Sequence, residues 1–499
     1  MKTKLLIFMI FLNLCFNLFS DETFEREYDL NPYIYPTTGD HISELTPRCL
    51  QTTPDGGYAV LMKIELTEGM VAHFCTALLK TDSLGNIQWF KMLTNDPTLS
   101  DFYIVMQGWY FARGFTVTND GGFVIPITGD GYGEESGSFI LKLDANGEYE
   151  WHTQLADETS PPLHYLNTIK QTSDGDFYAA GYRDYLYPSY LKIMEVVKLT
   201  AQGDTLWTKT YQDSLIYKNA YDIALTEKDK PLIVGHTWNS ELNWIGFTLG
   251  LSYEGEIEWK HFVEEQYQCF YYNSILLDPA SNQFLTTGIC NNENQDYGII
   301  IENITNNGIV IDNYFIESEY TFYQYLPSIV SDFNNYIVMA AIINNNAEIC
   351  QFDLNNTLMW DREVQGSLCD GPEVLQKVEN SYFACISIKN QDTLVITKMD
   401  ENGNSTDVND DVIVIQEPNL KAYPNPFNPI INFEVKAEID DNLRIEIYNI
   451  RGQKIDEVTF INLQTVVSWN ANEFASGVYL CNLVNKDELL DFEKILLIK

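Results

Sequence analysis

Six histidines stand at positions 41, 73, 152, 164, 236 and 261, and none has the His-x-x-x-His or His-Glu-x-x-His spacing that brings two imidazoles to one metal ion. No Gly-x-Ser-x-Gly elbow presents a nucleophile, and no glycine-rich loop is built to cradle phosphate. The 71 acidic side chains offer carboxylate pairs for glycoside hydrolysis, but with so many the sequence singles out none. Hard oxygen ligands concentrate at Asp400, Asn402 and Asn404 around Gly403, extended by Asp407, Asn409, Asp410 and Asp411. This run lacks the sixth-position glycine and closing glutamate of an EF-hand, and a solvated linker accounts for it better. Calcium at Asp400, Asn402 and Asn404 is the one cofactor candidate. No residue is nominated as catalytic.

Nine cysteines are present, Cys15 among the first twenty residues. The others, Cys49, Cys75, Cys269, Cys290, Cys350, Cys369, Cys385 and Cys481, show no Cys-x-x-Cys spacing, which argues against zinc and thioredoxin-like chemistry. An oxidising compartment lets some of them pair, and small buried hydrophobes in strands is the reading for most.

Any such groups must be positioned by a chain of 499 residues, long enough for two or three domains. Residues 1–20 read as a secretory signal: Lys2 and Lys4, an apolar run from Leu5 to Leu14, and a cleavage point after Ser20. Leu14 stands where lipoprotein processing wants a small residue. No other run approaches membrane-spanning length, so no transmembrane segment is expected. The net charge of −41 repels phosphate backbones, which excludes nucleic acid as a partner and keeps an acidic protein in solution. Thirty-one Tyr and 27 Phe lean toward strands.

The middle of the chain repeats. An apolar-Lys-x-Asp strand end, a Gly turn and a Trp four residues later recur as Lys80 to Gly85 with Trp89, Lys142 to Gly147 with Trp151, and Lys198 to Gly203 with Trp207. Weaker copies follow at Gly255 with Trp259, at Asn307-Gly308, and at Asn355-Asn356 with Trp360; Lys398 to Gly403 is full again. Each unit has a second mark upstream: Thr53-Pro54-Asp55-Gly56-Gly57, Thr118-Asn119-Asp120-Gly121-Gly122 and Thr172-Ser173-Asp174-Gly175-Asp176, with degenerate forms later. Asp-Gly and Asn-Gly supply the positive φ of two-residue hairpin turns. Two hairpins make four strands, and seven such units predict a seven-bladed β-propeller over 21–407, the Trp side chains packing between blades. The last unit lacks an outer strand, and the aromatic-polar segment at 23–30 is expected to complete it and remove the exposed edge.

These units resemble a family of secreted bacterial propellers with "TPDGGY…LxKLDxxGNxxW" blades, a resemblance that implies the fold and no activity. Thr53-x-Asp55-x-Gly57 and Thr118-x-Asp120-x-Gly122 also resemble the aspartate boxes of sialidase propellers. A sialidase needs clustered arginines, and Arg48, Arg113, Arg183 and Arg362 share no context in the sequence.

After a polar linker at 408–420 the pattern changes. Tyr423-Pro424-Asn425-Pro426-Phe427-Asn428-Pro429 forbids regular structure, and Ile431, Phe433 and Val435, then Leu443, Ile445 and Ile447, alternate with polar residues as half-buried strands do. Short strands without a helix period predict an immunoglobulin-like sandwich over 421–499. The segment resembles the C-terminal sorting domain of type IX secretion cargo and the immunoglobulin-like domain of flagellar hook-capping proteins. The resemblance rests on Tyr423, Pro424, Asn425 and Pro426, on Ile447 to Gln453 with Gly452, on Gly477 and Tyr479 in Ser476 to Tyr479, and on the terminal strand ending at Lys499. It implies export by the type IX machinery to the medium or the outer surface of a Gram-negative bacterium. The functional expectation is a non-catalytic propeller binding a glycan, protein or envelope partner. The alternatives are a polysaccharide hydrolase or lyase with acids at the channel, and an envelope scaffold.

Overall fold

In a computed structural model the chain forms two compact units, Met1–Ile413 and Val414–Lys499. The structure describes residues 23–32, 41–68, 71–93, 109–130, 138–155, 163–185, 191–212, 217–238, 244–264, 267–278, 281–292, 297–317, 328–331, 336–343, 346–353, 357–364, 366–368, 374–378, 382–405, 420–435, 443–449, 453–460, 465–485 and 488–498. The signal segment 1–20, the linker up to residue 419, and Cys369, Asp407, Asn409, Asp410, Asp411, Gly452 and Lys499 lie outside them.

The first unit is all-β and repetitive. Four sheets have four strands each, wound in simple order, as in Leu163–Gln171, Phe177–Tyr185, Leu191–Leu199 and Thr205–Thr210. The first two repeats are counted as one nine-stranded sheet because a parallel bridge joins Phe74 to Trp109. Within a repeat, burial follows strand position. The third strand Ser138–Leu143 is buried throughout, and the fourth, Tyr149–Leu155, alternates half-buried and exposed. A strand covered on both faces can be continuously apolar, and an outer one alternates.

The hydrophobic cores lie between repeats. One joins Cys49, Ala59 and Leu61 of the first repeat to Ala112, Phe115 and Phe123 of the second. Others join the second to the third, the third to the fourth and the fourth to the fifth. Phe24–Asp29 pairs antiparallel with Thr393–Met399, and a further core combines Phe24, Tyr28 and Phe383 with Leu50, Tyr58 and Val60 of the first repeat.

Both hairpin turns of a repeat are three-residue loops, one longer than the two-residue turns expected. Gly56 N–H donates to Thr53 O and Thr53 N–H to Gly57 O, with Gly56 at φ 81°; Asp82, Gly85 and Asn86 repeat the arrangement. This is a turn followed by a left-handed glycine bulge, which asks for one positive φ rather than two. In degenerate repeats Asp229 and Asn282 take that conformation at φ 57° and 55°.

In the second unit a three-stranded sheet (Leu420–Tyr423, Ile430–Val435, Val466–Asn470) and a four-stranded sheet (Lys454–Thr459, Leu443–Asn449, Gly477–Asn485, Glu488–Leu497) share one core. Ile431, Phe433 and Trp469 meet Ile445, Ile447 and Leu483 there.

Candidate functional site

Where they are described, the turns after the first and third strands of a repeat lie at one end of the sheet, and the connections between its second and third strands and between repeats lie at the other. At the turn end the two sequence marks of a repeat prove to be halves of one contact. The buried Lys80 ammonium lies 2.9 Å from Asp55, and its remaining donors reach Thr81 O and Gln88. Lys142 pairs likewise with Asp120 at 3.2 Å. Partial burial opposes ionisation of Asp55, but the Thr53 hydroxyl, Lys80 and Gly57 N–H outweigh it and hold its pKa at about 2. The aspartate-box Asp is thereby a structural residue.

Each repeated Trp lies opposite that lysine position, as Lys80 faces Trp89, Lys142 faces Trp151 and Lys198 faces Trp207. The indole packs on the next repeat's turn glycine: Trp89 on Gly147, Trp151 on Gly203, Trp207 on Gly255, Trp259 on Gly308 and Trp360 on Gly403. Trp89, Trp207, Trp259 and Trp360 also donate to a carbonyl of that next turn. In the last sheet Lys398 faces Phe24, which packs on Gly85, and the buried Tyr28 hydroxyl donates to Gly85 O.

Asp400 sits in the Gly403 turn, where Oδ1 accepts the N–H groups of Asn402 and Asn404. Asp82 and Asp144 do the same in their turns. The repeated geometry gives these residues a turn-forming role, and among the described residues no three His, Cys, Asp or Glu side chains form a metal cluster.

Polar groups are also buried at the seams between repeats. Glu195, fully buried, accepts from His164 Nδ1 at 2.7 Å and from Arg183 at 2.7 and 2.9 Å. The buried Nε2 of the same ring has no hydrogen-bond partner among the described residues. This resembles a carboxylate-held general base, but Nε2 is shut off from solvent between the second and third repeats. Glu302 accepts from Tyr272 and from His261 of the preceding repeat. Asp222 accepts from Thr168 and Ile275 N–H on either side. Cys269 and Cys290 form a disulfide across the first two strands of the fifth repeat, while Cys49, Cys75, Cys350, Cys385 and Cys481 are buried thiols.

The innermost strands carry a feature that sequence reading missed. The pairing register slips by one residue at Arg48 (Pro47 faces Met62, Cys49 faces Leu61), at Asn167, at Tyr221 and at Asn273. In the second repeat residues 112–115 face only 125–127, one residue more on the inner strand. Each bulge precedes the left-handed turn residue by a near-constant distance: 48 before 56, 167 before 175, 221 before 229, 273 before 282. That offset was the available signal. Gly181 and Gly235 lie opposite two of the bulges, where a Cβ would meet the carbonyls of Tyr165 and Asn219. Asn167 spans to the next repeat, donating to Ala220 O and Asn219.

In the second unit Asn425 acts like a strand edge. Its amide donates to Lys494 O, and its carbonyl accepts Leu496 N–H. Phe427 continues the pairing, so the 423–427 lead-in grips the terminal strand. Gly477 adopts φ 154°, and Tyr479 donates to Ala475 O.

Residues 421–499 match the family described as the secretion system C-terminal sorting domain. Solved structures similar to the chain include the β-propeller domain of the trilobed protease from Pyrococcus furiosus, described as having an open velcro topology. It is 9% identical, covering 75% of this chain and 100% of that one, with a TM-score of 0.42. Prolyl oligopeptidase B from Galerina marginata is 12% identical, covering 82% and 58%, with a TM-score of 0.44. A protein of unknown function from Bacteroides caccae is 12% identical, covering 56% and 82%, with a TM-score of 0.32. No curated protein sequence matches. The sorting domain marks the chain as exported, to the medium or the cell surface, by the type IX machinery. No described helix is long and apolar enough to cross a membrane.

Proposed function

We propose that this is a surface protein of a Gram-negative bacterium whose seven repeats close into a β-propeller that binds a glycan, protein or envelope partner without catalysis. Residues 1–20 are its signal peptide, and 421–499 form an immunoglobulin-like tag read by the type IX machinery. The observation that carries the reading is the family match over 421–499. Ring closure is supported by Phe24, which stands where other repeats have Trp and packs on the first repeat's Gly85. A binding role is supported by the contrast between the ends of the repeats: one is uniform turn, the other varies. The buried carboxylates Glu25, Glu195, Asp222 and Glu302 are all held by partners at the seams, which leaves them poorly suited to a hydrolytic pair.

The test is fractionation of cells expressing the full chain or a chain ending at 420. The full chain reaches the surface or medium, and the truncated one folds but stays in the periplasm. Equal surface delivery of both would overturn the export reading.

A further inference from the structure

The geometry points to Asn425 as a positioning residue of the sorting domain. Its side-chain amide stands in for a missing strand and holds an apolar strip, Leu480, Leu496 and Ile498, in place to dock on a protein of the type IX machinery. This deepens the export reading above and rests on it.

In the four-stranded sheet Glu488–Leu497 is an edge strand, paired on one side with Gly477–Asn485. A bare edge offers unpaired N–H and C=O groups and recruits stray strands. The lead-in from Tyr423 to Pro429 reaches that edge, but Pro424, Pro426 and Pro429 have no N–H to give. Asn425 supplies both halves of the pairing from its side chain. Nδ2 donates to Lys494 O at 2.8 Å, and Oδ1 accepts Leu496 N–H at 2.9 Å. Phe427 then pairs through its backbone, donating to Leu496 O at 2.9 Å and accepting from Ile498 N–H at 3.0 Å. Its buried ring lies against Trp469, which anchors the lead-in in the core.

So held, the edge strand turns Ile495 and Leu497 inward and leaves Lys494, Leu496 and Ile498 exposed. On the neighbouring strand Val478 stands opposite Leu496 and the exposed Leu480 opposite Lys494, so Leu480, Leu496 and Ile498 form one strip. Farther across this face the charges are spent on one another, Arg444 and Lys454 pairing with Glu446 and Glu457. Exposed apolar residues on the other sheet are broken up by polar ones: Tyr423 faces Asn432, Ile430 faces Asn470, and Val466 faces Glu434.

An export tag is recognised through contacts outside its own core. The strip is the apolar surface left for that purpose, and Lys494 at its rim calls for a carboxylate on the partner. The family match over 421–499 takes in both the lead-in and the strip.

The test is surface delivery of the full chain and its variants in cells that export it, with amide exchange followed on the purified chain by mass spectrometry. Asn425→Ala leaves every residue of the strip in place. Its delivery is expected to fall at least about fivefold, and exchange at Leu496 and Ile498 to quicken about tenfold, as loss of one or two hydrogen bonds allows. Asn425→Asp keeps the acceptor, loses the donor and is expected to fall between. Leu496→Asn alters an exposed side chain and is expected to lose delivery with Tm unmoved. Val467→Ala cuts the core away from the strip, and is expected to lower Tm while delivery stays within about twofold. Delivery that simply follows Tm through Asn425→Ala and Val467→Ala would reduce Asn425 to a structural part and overturn its positioning role. Normal delivery of Leu496→Asn would overturn the docking strip. A parent chain delivered no better than one ending at 420 would overturn the export reading itself.

Discussion

The two ends of each repeat obey different rules. At the turn end, backbone geometry dictates residue type: a left-handed position wants glycine, its neighbour wants a short carboxylate, and the indole of the preceding repeat needs a flat surface without a Cβ. Toward the other end the connections are free of those demands, and the residues that gather there differ from repeat to repeat. His164 with Glu195 and Arg183 in one repeat, and a disulfide between Cys269 and Cys290 in another, are each used once among the described residues. What the backbone requires repeats, and what it leaves open can specialise.

That contrast can be broken at several points. Phe24→Ala removes a buried side chain (2% exposed) that stands in for the repeated Trp, and should cost about 3–5 kcal/mol in urea unfolding. A loss below 1 kcal/mol would show that the first strand does not hold the last sheet. Replacing Cys269 and Cys290 by serine opens the one staple described at the variable end, spanning a separation of 21 residues, and should cost about 3 kcal/mol. The comparison sharpens if dithiothreitol lowers Tm in the parent and leaves the double variant unmoved. Gly203→Ala places a Cβ in a left-handed position (φ 89°) against the Trp151 ring and should cost at least about 1–2 kcal/mol. Were it silent, the glycine would be a habit of the repeat rather than a requirement.

The smallest effect belongs to Asp55→Asn. Its carboxylate is nearly half exposed, so screening limits the loss to about 0.5–1 kcal/mol at neutral pH. Because the folded pKa of Asp55 is depressed to about 2, that stabilisation is present above the ordinary aspartate range near 4 and disappears as pH falls toward 2. Parent and variant curves should therefore converge on acidification. A difference that persists at pH 2 would mean the charge is not what the substitution removes.

The same contrast explains what could be read from residues alone. Turn chemistry is local, so the repeat, its period, the strand-rich fold and the change of pattern near residue 420 were all legible. The loop length was misjudged by one residue because Asp-Gly fits both a two-residue turn and the bulged form. The bulges on the inner strands were invisible for a different reason. A single extra residue leaves no mark in apolar periodicity, yet it takes Arg48 and Asn167 out of the pairing of their strands. The seam carboxylates escaped for want of long-range information: Glu195 reads as one acid among many until His164 and Arg183 are folded against it.

The pairing of Phe24–Asp29 with Thr393–Met399 also has a bearing on timing. Glu27 meets Lys389 across 362 positions of chain, so the first ordered strand to leave the ribosome is the last to find its place. Until then the final sheet shows an open edge and the leading strand has nothing to hold. A sheet completed by the chain's own beginning keeps that edge open until its final repeat has been delivered.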